Sequence, residues 1–217
     1  MPTVAFDVIG TLFSLDRPRR AFVDAGAAPE TVDLWFAQSL RDYFAWSHAG
    51  AYAPLAEVLR ATLPRVLAAH GIADDEEAEE GVMAAMARLE PVPDAAQALR
   101  MFSDGGWRII AVTNGAEAST HGLLAAAGLR ERFFQLLSCD DIGVSKPHPR
   151  VYEWARGAAE GELWMLAAHA WDVAGALRSG LKAAWVSQPE GRYPAVYPEP
   201  NVTAPSLAEA ARHMMLA

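Results

Sequence analysis

The feature that most constrains the fold is a βα rhythm that sets in at Asp94 and runs to the C-terminus. A helix over 94–103 closes at Gly105-Gly106, Trp107–Thr113 reads as a strand, and a helix over 116–127 closes at Gly128. A short strand at Gln135–Ser138 follows, then a helix over 150–159, a strand over 162–168 and a helix over 172–179. Strand 182–187, Val202 and a last helix over 206–215 complete the series. Parallel strands need crossover helices, so this alternation predicts an α/β fold with a doubly wound parallel sheet. Residues 3–9, apolar from Val4 to Phe6, read as a buried strand of the same sheet.

Residues 17–90 break the rhythm, because they read as helices only. Arg17–Ala25 is a short helix, and Ala28–His48 a longer one with Val32, Leu34, Trp35, Phe36, Leu40, Tyr43, Phe44 and Trp46 on a broad apolar face. Pro54 suits the first residue of another helix, which Pro64 should end or kink. Asp74-Asp75-Glu76-Glu77 has the acid of a helix's first turn, for a helix reaching about Leu89. The expected organisation is a core of residues 1–15 plus 91–217 and a helical cap of residues 16–90 over the sheet's carboxyl edge. The Pro- and Tyr-rich stretch Pro189–Pro200 reads as an irregular surface loop.

Composition narrows the function. With 217 residues, 52% of them hydrophobic, the chain can bury a sizeable core, and no apolar run reaches membrane-spanning length. The start lacks the basic and apolar regions of a signal peptide, and the one cysteine, Cys139, forms no disulfide framework; both suit the cytoplasm. No Cys or His of metal spacing surrounds Cys139, so a buried structural role is expected. A net charge of −9 with scattered arginines speaks against nucleic acid as partner. Any site for an anionic substrate must therefore build its own positive field.

The strand ends carry the chemistry, since open α/β sheets place ligands at their carboxyl edge. Asp7 closes the first strand; it reads either as a nucleophile able to form an ester or as an Asx-turn cap. Thr113-Asn114-Gly115 closes the second core strand, as an anion cradle or a helix cap. Lys146, fixed in an extended turn by Pro147, could neutralise a carboxylate and a substrate anion together, or lie at the surface. The stretch Leu166–Asp172 runs from a strand into a helix and brings His169, Trp171 and Asp172 to the same edge.

These four segments, in this order along nearly the whole chain, resemble the haloacid dehalogenase superfamily of hydrolases. The resemblance implies a Rossmann-like core with Asp7 as nucleophile, Thr113 and Lys146 orienting and neutralising it, and Asp172 as the acid of the fourth motif. Phosphatases of the superfamily carry an acid two residues after the nucleophile and a second carboxylate in the fourth motif. Here those positions hold Ile9 and Ala168, neither of which can transfer a proton or hold magnesium. The stretch Lys146–Tyr152 and Ala170-Trp171-Asp172 are more similar to the 2-haloacid dehalogenase branch, which uses no metal or cofactor.

That branch implies a small carboxylate substrate contacted by Ile9, Thr11, Phe36, Leu40, Asn114, Tyr152 and Trp171, with a homodimer left open. Two positions depart from it. Phe36 stands where a cap arginine receives the halide, with Arg41 more than a turn away, and His169 replaces an asparagine near the hydrolytic water. His169 reads as that water's general base or as a ring packed on Trp171. A phosphatase with a reduced metal site, a hydrolase of an unrelated small substrate through the same aspartyl ester and a non-catalytic binding module are the alternatives.

Overall fold

The computed structural model describes residues 1–72 and 75–217, so Asp74 of the acidic run lies outside the described residues. Strand β1 (Thr3–Phe6) is buried at every position. Val4 and Phe6 enter the core on one face of the sheet and Ala5 that on the other, as the two-residue period of a strand requires. Phe6 meets Phe102 and Phe133 edge-on, with centroids 5.7 and 6.2 Å apart. The chain passes through a two-residue strand, β2 (Phe13–Ser14), before the helices begin.

Four helices follow: α1 (Asp16–Asp24), α2 (Thr31–His48), α3 (Leu55–Ala69) and α4 (Glu76–Met86). The chain returns through β3 (Glu90–Pro91), which pairs antiparallel with β2 and ties the two ends of this helical insert together. Pro64 does not end its helix. It sits inside α3, whose flanking Thr62, Leu63, Val66 and Leu67 are all buried, so packing outweighs the missing N–H. The apolar face of α2 is narrower than expected: Val32, Trp35, Phe36, Leu40 and Tyr43 are buried, whereas Leu34 and Trp46 face solvent. Trp35 donates its indole N–H to the Leu59 carbonyl (3.1 Å), locking α2 to α3.

Beyond the insert run α5 (Ala95–Asp104), β4 (Arg108–Thr113), α6 (Glu117–Ala126), β5 (Gln135–Ser138), α7 (Pro149–Ala158) and β6 (Leu163–Ala167). They are followed by α8 (Ala170–Arg178), β7 (Lys182–Val186), β8 (Val202–Ala204) and α9 (Leu207–Met214). The parallel sheet has the order β5-β4-β1-β6-β7-β8. Side chains of α5, α6 and α9 enter the core on one face and those of α7 and α8 that on the other, which is the doubly wound arrangement. Because β4 lies on one side of β1 and β6 on the other, the order reverses at β1, and a crevice opens above its carboxyl end.

Among the described residues no helix is long and apolar enough to cross a membrane. Cys139 is fully buried, and burial above all pushes its thiol up to about 12, so it stays protonated and structural.

Candidate active site

Asp7 follows β1 directly, and its backbone N–H still bonds the Leu166 carbonyl of β6 (3.1 Å). The chain then turns sharply, with the N–H groups of Leu12 and Phe13 both on the Val8 carbonyl. Gly10 makes the turn with φ of +83°, a left-handed value that favours glycine. The turn brings Thr11 back onto the strand ends. Its hydroxyl donates to Asp7 Oδ2 (2.6 Å) and accepts the Ala168 N–H (2.9 Å), lashing the carboxylate to β6.

The other carboxylate oxygen meets Lys146. Its Nζ donates to Asp7 Oδ1 at 2.8 Å and to Asp172 Oδ2 at 2.6 Å, and the lysine has no exposed surface. The side-chain amide oxygen of Asn114, Oδ1, accepts the Lys146 backbone N–H (2.9 Å), fixing the loop that delivers the ammonium. Tyr152 donates its hydroxyl to Asp172 Oδ1 (2.7 Å) and lies near the Asp172 carbonyl (3.1 Å). Burial pushes both carboxyls up. For Asp7 the charges of Lys146 and His169 and the bonds from Lys146 and Thr11 outweigh it, and the group sits below the usual carboxylate range. Asp172 faces the negative charge of Asp7 as well, and it stays above that range. Burial disfavours the ammonium too, but the two carboxylates outweigh it and raise Lys146.

On the opposite side stands His169, at the entry to α8, which begins at Ala170 rather than at Asp172. Its Nε2 lies 3.1 Å from the Ile9 carbonyl oxygen and 4.0 Å from Asp7 Oδ2, and its Nδ1 lies 3.4 Å from Glu190 Oε1. Glu190 Oε2 accepts the Ala170 N–H (2.9 Å) at the start of α8. Burial would strip the ring of its proton. The Glu190 bond, the charges of Asp7 and Glu190 and the Ile9 carbonyl outweigh it and raise His169 above the usual histidine value. The ring is stacked on Trp171, with centroids 5.2 Å apart and planes at 14°, and faces Phe36 at 6.1 Å. His169, Phe36, Leu40, Trp171 and Glu190 line a cleft of about 1260 Å³ between the helical insert and the sheet edge.

The structure thus brings Asp7, Lys146, Asp172 and His169 together. Thr11, which also lines the cleft, is bonded to Asp7 and Ala168, Asn114 is bonded to Lys146, and Tyr152 to Asp172. Thr113 is buried, with its hydroxyl accepting the Gly115 N–H (3.0 Å). Ile9 is half-buried and contributes its carbonyl. Arg41 lines the same cleft and pairs with Asp42 (2.7 Å) at its exposed rim. Asp7 and Asp172 share one ammonium, and among the described residues no three His, Cys, Asp or Glu side chains are arranged to hold a metal.

Glu190 was not singled out in the sequence, because it lies in the stretch read as a surface loop. One signal could have found it: the residues after a core strand, here β7, emerge at the same carboxyl edge as Asp7 and His169. Tyr52 of the insert donates to Asp140 Oδ1 of the core (2.5 Å).

Comparison with known proteins agrees with this geometry. A family model for haloacid dehalogenase-like hydrolases matches residues 1–180. An (S)-2-haloacid dehalogenase of Xanthobacter autotrophicus is 32% identical over 85% of this chain and 74% of its own. A haloacetate dehalogenase of Moraxella is 26% identical over 93% and 92% of the two chains. The structure of the L-2-haloacid dehalogenase of Xanthobacter autotrophicus with chloropropionic acid covalently bound superposes with a TM-score of 0.88. It is 26% identical, over 98% of this chain and 97% of that one. The chain is an enzyme of the haloacid dehalogenase-like hydrolase family.

Proposed function

We propose that this hydrolase is a 2-haloacid dehalogenase in which Asp7 displaces halide from the C2 carbon of a small 2-halocarboxylate. The observation that carries the reading is the carboxylate of Asp7, held ionised by a fully buried lysine beside a position 9 that offers no acid. A halide leaves as an anion and needs no proton, so Ile9 is no handicap; an alkoxide or phosphate ester leaving group would need one. The covalently bound chloropropionic acid of the Xanthobacter enzyme supports the same step.

In the first half-reaction an Asp7 oxygen bonds to C2 as the carbon–halogen bond breaks, and the halide keeps the electron pair. In the second, water adds to Cγ of Asp7 and the ester bond to the 2-oxygen breaks. One water proton goes to the product hydroxyl and the other is released. Lys146 offsets the charge that develops on the Asp7 oxygens, and Thr11 holds their orientation. Residues 16–90 serve as the cap that closes the cleft over Asp7, and one buried cysteine suits a cytoplasmic enzyme.

Single turnover in ¹⁸O-water tests the proposal. With enzyme in excess over (S)-2-chloropropionate, the first label should enter Asp7, found by peptide mass, and unlabelled lactate should be released with chloride. Label appearing directly in the product, with Asp7 unlabelled, would refute a covalent ester. Phosphate release that requires Mg²⁺, without halide release from any 2-haloacid, would move the reading to a phosphatase.

A further inference from the structure

We propose that His169, held as an imidazolium between Glu190 and the Ile9 carbonyl, receives the departing halide, and that Glu190 is its positioning residue. This rests on the dehalogenase reading and adds to it the group that stabilises the leaving anion. The geometry of the ring carries the argument. Both neighbours of its nitrogens, the Glu190 carboxylate and the Ile9 carbonyl, are acceptors only. A ring with an acceptor on each side is satisfied when both nitrogens carry protons. A general base would instead need a bare nitrogen turned to water.

The place of the cation matters equally. Nε2 stands 4.0 Å from the Asp7 carboxylate, so the positive charge sits beside the nucleophile. The surrounding walls are Trp171 and Phe36, and a halide freed among them would lose its solvation without a charged partner. Other cations are engaged or distant from the ring's contacts. Lys146 is bonded to two carboxylates, Arg19 is held by Asp33 and Arg41 by Asp42; Arg212, exposed on α9, lines the same cleft but is not among the ring's contacts.

The charged groups that face His169 are Asp7 from the end of β1 and Glu190 from the loop after β7, with Lys146 and Asp172 reached through Asp7. The facing α2 presents Phe36. Glu190 is pinned by the Ala170 N–H at the start of α8, where the helix dipole favours an anion. One carboxylate therefore both fixes the imidazole and keeps it charged.

Two measurements test this separately from the dehalogenase reading. In ¹⁵N-histidine spectra of the intact enzyme, bromide should raise the titration midpoint of the His169 signal, identified by its loss in His169→Gln. Glu190→Gln should lower that midpoint and weaken the bromide response. In rapid-quench mass spectrometry with (S)-2-chloropropionate, formation of the Asp7 ester should fall as pH rises through the His169 midpoint. His169→Gln should slow ester formation on the order of 10²-fold, as loss of one charge-stabilising group does. Adding Phe36→Arg to His169→Gln should recover part of that rate, because a guanidinium can hold an anion but cannot act as a base.

A midpoint indifferent to bromide would overturn the proposal. So would ester formation at the wild-type rate in His169→Gln with only its breakdown slowed, which would make His169 the water's base. A bromide response without any ester on Asp7 would uphold the halide site and sink the dehalogenase reading.

Discussion

The two sides of Asp7 are built on opposite principles. Toward Lys146 the carboxylate meets a closed ionic cluster of Lys146, Asp172 and Tyr152, with almost no exposed surface and every polar atom tied to another. Toward His169 it meets an aromatic-walled opening, where an ionic pair runs from a ring lining the cleft to a carboxylate on a loop. The closed side sets a charge that need not change during turnover. The open side holds a group whose proton responds to its neighbours. When Asp7 becomes an ester its negative charge disappears, and His169 loses one of the interactions that keep it protonated. The fold thus separates permanence from response across a single carboxylate.

The largest test removes what the two sides share. Asp7→Asn keeps the shape but not the nucleophile, and hydrolysis should fall to background, a loss on the order of 10⁴-fold or more. The protein should remain folded by circular dichroism. Full activity in an Asn variant shown by mass to be free of deamidation would remove Asp7 from the reaction.

Breaking the closed side should cost stability first. Lys146→Met leaves two buried carboxylates facing each other, and removal of one partner from such a cluster costs about 3–5 kcal/mol. For a chain of this size that is a fall in Tm of roughly 10 °C. The pH dependence also reverses. In the wild type the Asp7 carboxyl is depressed, so its contribution to stability is present above the ordinary carboxylate value and is lost as pH falls through the folded pKa. Without the ammonium, burial raises the group instead, and the variant should gain stability as pH falls toward the acid range. Thermal melts across pH check the sign, and a variant that weakens in parallel with wild type on acidification would contradict it.

The closed side was also the more legible in the sequence. Asp7 stands at the end of β1, Lys146 in the loop that follows β5 and Asp172 in the first turn of α8 just beyond β6, so the βα rhythm alone predicts that they converge. The rhythm locates residues along the chain, however, and not which atoms they engage. A turn, a loop and a helix face direct the polar groups of Thr11, Asn114 and Tyr152 to Ala168, Lys146 and Asp172, which the rhythm does not foretell. Glu190 reaches α8 only through tertiary folding of a Pro-rich loop, and local pattern carries no trace of that contact. In the insert, Leu34 and Trp46 show the same limit: apolar character suggested burial, but α2 has too few packing partners to cover every apolar residue it carries.

A test of the open side alone is Gly10→Ala. A Cβ there would lie 2.5 Å from His169 Nε2, and the backbone φ of +83° is already unfavourable for alanine. The expected cost is about 1–3 kcal/mol of stability, with ester formation slowed because the ring must move. The clash and the backbone strain can be separated. In the double variant Gly10→Ala/His169→Ala the clash is gone, so its stability loss should be smaller than the sum of the two single losses. Strict additivity would place the whole cost in the backbone.

The smallest effect is expected at Tyr152, and it decides which side of the comparison this residue belongs to. Its hydroxyl is buried and bonds Asp172, so Tyr152→Phe leaves that carboxylate with Lys146 as its remaining side-chain donor. Loss of a hydrogen bond to a charged acceptor costs about 1.5–3 kcal/mol, and the lower end applies where a cation still covers the acceptor. KM for the 2-haloacid should then stay within a few-fold of wild type while Tm falls by a few degrees. A contact to substrate would give the reverse pattern, a raised KM with Tm unchanged. The phenyl ring fills the same space in both cases, so the two outcomes are not confused by a cavity. A steep rise in KM would move Tyr152 from the closed ionic cluster to the substrate's side of Asp7.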